Sequence, residues 1–161
     1  MTCLDLFCQF IGKCLQIQRD KCDEMVSCCV ISMVMAMLEN IQDISSVVPG
    51  IIEMYNGEIA QGVETKEFRL MLLQGYMMCL WYDVTSALQA LESSGKTAWL
   101  LEEVFKIVTE LTEDFEVKRF MLGLSSILVP ADMPLTVQNN YATIIRVLVY
   151  LSQRSVEILE K

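Results

Sequence analysis

The chain has 161 residues, with 21 acidic against 12 basic side chains, no histidine and a formal net charge of −9. It is 53% hydrophobic and only 20% charged, with 3 Pro and 7 Gly, and its mean hydropathy is +0.41. The length suits one ordinary domain, the acidity disfavours a nucleic-acid backbone or an anionic membrane surface, and so little Pro and Gly leaves no long flexible linker. An apolar excess of this size builds a core and leaves surface for an interface. The acidic balance either suits a basic protein partner or only keeps an apolar chain in solution.

From Thr2 to about Gln18, Leu4, Phe7, Cys8, Ile11 and Leu15 recur at helical spacings of three and four. Arg19 to Asp23 is a polar break, and Asp23 is placed to cap a second helix. That helix, about Glu24 to Asn40, is apolar nearly all round and belongs between neighbours. Its uncharged run is too short for a bilayer, which takes about 20 residues. No signal peptide fits, because Asp5 comes early and no basic stretch precedes the apolar run.

After a break at Asn40 to Ser46, Pro49 stands near the start of a third helix that runs to about Gln61, interrupted at Gly57. Gly62 is its expected C-cap. Thr65 opens a fourth helix, to Trp81 or Tyr82, with a broad apolar face from Leu70 to Trp81. Asp83 caps a short helix from Val84 to Glu92, ended by Ser93-Ser94-Gly95. The helix from Thr97 to about Thr112 sets Leu101, Val104, Phe105, Val108 and Leu111 on one face. Glu102, Glu103, Lys106 and Glu110 fall on the other. A further helix starts at Asp114, a loop lies between Pro130 and Pro134, and a long last helix runs from Leu135 toward Glu160. No segment alternates apolar and polar residues long enough for a strand.

The expected fold is therefore all-α. The helices fall into pairs at about 2–40, 44–82 and 83–129, with the helix at 135–160 opening a fourth. Units of roughly 40–47 residues match HEAT and armadillo repeats. A single pair cannot bury its apolar stripe, so the expected architecture is a HEAT-like α-solenoid, antiparallel pairs stacked in a right-handed superhelix.

Little here speaks for catalysis. Ser93-Ser94-Gly95-Lys96-Thr97 resembles the end of a phosphate loop, but the first glycine position holds Ala90 and a helix precedes it. A glycine C-cap explains it better. Of the seven cysteines, six lie between Cys3 and Cys29, with no Cys-x-x-Cys spacing. They read as reduced, buried thiols of an intracellular protein. Without histidine a cysteine nucleophile lacks its usual base. Clustered acids such as Glu102-Glu103 and Glu113-Asp114-Glu116 read as a solvated face or a partner surface. Trp81, Tyr82 and Trp99 are read as plugs between helix pairs rather than as interface anchors, and the methionines as core filler rather than as an adaptable binding groove. The chain is expected to be no enzyme, with no metal and no cofactor.

From Thr65 onward the order of motifs resembles the C-terminal repeats of the importin-beta superfamily, closest to its importin seven/eight branch. The resemblance rests on Arg69-Leu70-Met71-Leu72-Leu73-Gln74, then Trp81-Tyr82, then the short helix Val84 to Leu91. Trp99-Leu100 follows, then the charged stretch Asp114 to Glu116, then Lys118 with Leu122-Gly123-Leu124, and a long apolar helix after a Pro-containing loop. It covers Pro49 to Thr65 weakly and does not reach the first 40 residues. It implies a fragment of a larger nuclear transport receptor, found in cytoplasm and nucleus, acting as a scaffold for basic protein cargo. Ran GTPase and nucleoporins would be met through the parent receptor, whose Ran-binding repeats are not represented. The second helix of each pair would line the concave side and offer Glu67, Arg69, Glu116, Lys118 and Arg119 to cargo. The alternatives are a receptor like the importin-alpha re-exporter, or an α-helical adaptor or assembly subunit unrelated to transport.

Overall fold

The structure, a computed structural model, describes residues 31–36, 39, 45–60, 62 and 65–159. The expected first helix, the Asp23 cap and most of the second helix lie outside the described residues. Within them the chain is all-helical, with no strand. Residues 31–36 are helical and bury Ile31, Val34 and Met35. A 3-10 turn, Ser45–Val47, leads into α1, Val48–Ala60. Then come α2, Lys66–Tyr82; α3, Val84–Ser93; α4, Thr97–Ile107; α5, Asp114–Ser126; and α6, Leu135–Leu159.

The helix boundaries have local causes. Gly62, at φ 85°, donates its N–H to the Ile59 carbonyl at 3.1 Å and closes α1. The Thr65 hydroxyl accepts the Phe68 N–H at 3.4 Å and opens α2. Asp83 accepts the Ser86 N–H at 3.2 Å and the Ser86 hydroxyl at 2.7 Å, opening α3. Gly95, at φ 65°, lets the Lys96 N–H reach the Leu91 carbonyl at 2.9 Å. The residues that resembled a phosphate loop thus form a helix C-cap.

Two local expectations change. Helix α1 runs through Gly57 without a break. Helix α4 ends at Ile107, and a 3-10 turn, Val108–Glu110, carries the chain on.

Packing centres on α2. Every residue from Leu72 to Leu80 is buried, Gln74 and Gly75 included. A helix without a solvent face needs neighbours all round, and α2 touches α1, α3, α4 and α5. Its widest contact is with α5, which in turn packs on α6, while α1 packs on α3. The close crossing of α2 and α5 depends on Gly123. A Cβ there would lie 2.7 Å from Met77 Cα and 2.8 Å from the Met77 carbonyl oxygen. On the other side of α2, a Cβ on Gly75 would sit 2.6 Å or less from Tyr55 ring and hydroxyl atoms.

The Tyr55 ring meets Tyr76 edge-on at 5.1 Å, and Tyr76 meets Trp99 at 6.2 Å. Trp99 therefore fills space between helices, as expected. Trp81 is exposed instead, because it follows the last buried turn of α2. The Tyr76 hydroxyl donates to Asn56 Oδ1 at 2.8 Å, and Asn56 Nδ2 donates to Ser94 Oγ at 2.8 Å. This chain of bonds ties α1, α2 and the end of α3. Burial, and then the nearby Cys79, push the Tyr76 phenol far above its usual range.

Gly123→Ala is expected to lower stability by about 1–3 kcal/mol, since the clash is with backbone that a rotamer change cannot relieve. Urea unfolding followed by circular dichroism measures this, and an unchanged midpoint would refute the close crossing. Tyr76 gives a second, pH-dependent outcome. The unfolded chain releases this proton near about pH 10 while the folded chain retains it. The stabilisation is therefore complete below about pH 10 and is lost as pH rises above it. Stability should fall less steeply between about pH 9 and 11 in Tyr76→Phe than in the wild type. Equal slopes would show that Tyr76 is not held neutral.

Candidate functional site

Three of the five sequence-predicted contact residues, Glu67, Glu116 and Arg119, line one groove between residues 31–36 with Glu39, α2 and α5. The groove encloses about 420 Å³. Its apolar lining comes from Met35, Leu70, Met71 and Phe115, and its acidic lining from Glu39, Glu67 and Glu116. Phe115, at 52% exposed, keeps an open ring at one edge. Glu67 is exposed in the first turn of α2, where the helix dipole favours a carboxylate.

Arg119 is the centre of this wall. Its Nη1 donates to Gln74 Oε1 at 2.8 Å. Its Nη2 and Nε both reach Glu39 Oε1, at 2.6 and 3.2 Å. The guanidinium carbon lies 5.1 Å from the centre of the Phe115 ring. One side chain of α5 is thus bound to α2 and to residue 39. Its planar fork suits this work, because each N–H has a fixed direction.

Glu116 departs from its expected exposure. It is 8% exposed, and its Oε2 accepts the N–H groups of Thr112 and Glu113, each at 3.2 Å. These are the donors that the start of α5 leaves unpaired, so the carboxylate caps its own helix. Lys118 is exposed, as expected, but bonds to Asp114 one turn earlier. That bond, with a further one from Ser155 Oγ at 3.1 Å, holds the Asp114 carboxyl below its ordinary range against the weaker effect of burial.

Arg69 belongs to a different cleft, between the start of α2 and α4. There Glu103 takes Lys106 at 2.7 Å and Arg69 at 3.4 Å. Lys66 meets Glu110 at 2.6 Å, and the hydrogen bond to that carboxylate raises the Lys66 ammonium above its usual value. Glu103 was expected on a solvated face and is buried. The reason is that α2 brings Arg69 over it. The exposed Lys66–Glu110 pair stabilises weakly, and each of these charged side chains has an ion-pair partner within the cleft.

Sequence reasoning missed Glu39, Gln74 and Phe115 as members of the groove. Gln74 carried a signal, being a polar residue inside an otherwise apolar run. Nothing in the sequence linked Glu39 to Arg119. Among the described residues no group of three His, Cys, Asp or Glu side chains is placed to hold a metal ion. Cys79 is a buried thiol, not part of a disulfide, in the middle of α2 packing. No described helix is long and apolar enough to cross a membrane. No protein-family model, curated protein or solved structure significantly matches this chain.

Glu116→Ala is expected to cost about 1–2 kcal/mol, through loss of the cap and two unpaired N–H groups. Glu116→Gln should recover roughly half of that by keeping one acceptor oxygen. Thermal unfolding of the two variants tests this, and equal stabilities for Ala and Gln would show that the carboxylate does not cap α5.

Proposed function

We propose that this chain is a protein-binding scaffold built from stacked helix pairs, and that the groove beside Arg119 holds basic segments of its partners. The observation that carries the reading is the groove's composition. Met35, Leu70, Met71 and Phe115 provide an adaptable apolar floor. Glu39 and Glu67 place carboxylates on the same wall. Glu39 is already paired with Arg119, while Glu67 stands open on an acidic chain. A segment carrying Lys or Arg beside an aliphatic residue satisfies both parts at once.

The stacked arrangement is supported by the way helices meet. The packing of α2 on α5 and of α1 on α3 is what successive helix pairs make when one lies on the next. Together with Arg69 to Gln74, Trp99-Leu100 and Leu122-Gly123-Leu124, this favours a piece of a transport receptor of the importin-beta superfamily. In that reading the bound segments are basic cargo, and the chain works between cytoplasm and nucleus. Ran GTPase and nucleoporins are partners of the parent receptor.

Fluorescence anisotropy with a labelled Lys/Leu-rich peptide tests the groove. Binding is expected to be weak and to fall as salt rises, because rim charges are screened. Glu67→Lys should weaken it roughly threefold to tenfold, in line with reversal of one exposed charge. An acidic peptide of the same length binding equally well, or affinity that does not change with salt, would remove this reading.

A further inference from the structure

Helix α6 has two apolar faces. One, carrying Val137, Ile144 and Leu151, is fully buried against the rest of the chain. The other carries Tyr141, Ile145, Val149 and Val156, each between 37% and 55% exposed. At 100° per residue these four fall within one quarter of the helix surface, roughly a third of a turn away from the buried face. No described helix covers this stripe. We infer that it pairs with the same stripe of a second copy, as an antiparallel helix pair about a two-fold axis.

Charge singles out a second copy as the occupant. The chain carries a net charge of −9, so most of its surface repels another copy of itself. Yet α6 has no acidic residue from Leu135 to Val156, and its charged side chains there are Arg146 and Arg154. Two acidic chains that meet along this stretch face no carboxylate from it. The middle of the stripe is also self-complementary. An axis placed midway between Val149 and Ser152 sets Ile145 of each copy against Val156 of the other.

The flank of the stripe fits the same axis. Arg146 and Glu157 lie on one side of the stripe, and an antiparallel two-fold pair brings like flanks together. The axis leaves Arg146 and the other copy's Glu157 about 3 Å out of level along the helix, from the 1.5 Å rise per residue. An arginine side chain spans that offset. Arg146 has no ion-pair partner among the described residues, and Glu157 is 61% exposed with a long 3.3 Å contact to Arg154. Each copy thus supplies both halves of the pair, and the interface closes at two. This surface is separate from the groove at Arg119 and does not depend on what that groove binds.

Sedimentation equilibrium of the full chain over a range of concentrations tests the proposal. The wild type should approach twice the chain mass. Ile145→Asp should be monomeric throughout, with unchanged helical circular dichroism. Arg146→Glu and Glu157→Arg should each weaken dimerisation roughly tenfold, because each affects two symmetric pairs. The double variant Arg146→Glu/Glu157→Arg should return to near wild-type strength. A wild type that stays at one chain mass would overturn the proposal and leave the stripe to a different partner. A dimer indifferent to both single reversals, or not restored by the double exchange, would also overturn this geometry.

Discussion

Helix α2 has no solvent face between Leu72 and Leu80, and most of the remaining architecture answers that constraint. A helix apolar on one stripe is satisfied by one neighbour. A helix apolar all round needs several, and each must come close enough to exclude water. Around α2 this is achieved with glycines where a neighbour comes close and with aromatic rings that fill the space between helices. Gly123 lets α5 come onto the Met77 backbone. Gly75 accommodates the Tyr55 ring, and Tyr76 reaches outward to Trp99 and Asn56. The Leu122-Gly123-Leu124 core of α5 is thus explained by steric need at a crossing.

The polar side chains near α2 follow from the same constraint. Gln74 is buried in the apolar body and requires a partner for its amide. Arg119 supplies it and uses its remaining N–H groups on Glu39. That bridge forms one wall of the groove, so the groove is built on the means by which a buried amide is satisfied. Arg119 is held on both sides of this wall, by Gln74 and by Glu39, and Met35 and Met71 lie beside it.

The local punctuation was legible. Thr65, Asp83, Gly62 and Gly95 act within a few residues of themselves, and their side chains or backbone freedom set where helices start and stop. The amphipathic face of α4 and the length of α6 were legible for the same reason. Exposure of individual charges was less so. Glu103 and Glu116 fell on polar faces by periodicity, yet both are buried. Glu103 is covered by a basic side chain from another helix, and Glu116 turns back on the start of its own. The second apolar stripe of α6 was hidden by the overall greasiness of that helix, and became visible only when its other face was occupied.

By itself the sequence determined an all-helical chain, the positions of its caps and the apolar character of α2, because those depend on interactions within one or two helical turns. Tertiary structure alone decided which charges stand open and which groove they line. Arg119 meets Gln74 across 45 residues and Glu39 across 80. Helical periodicity says which residues share a face, but what that face meets depends on how the helices cross. Here Gly123 and the all-round burial of α2 set that crossing.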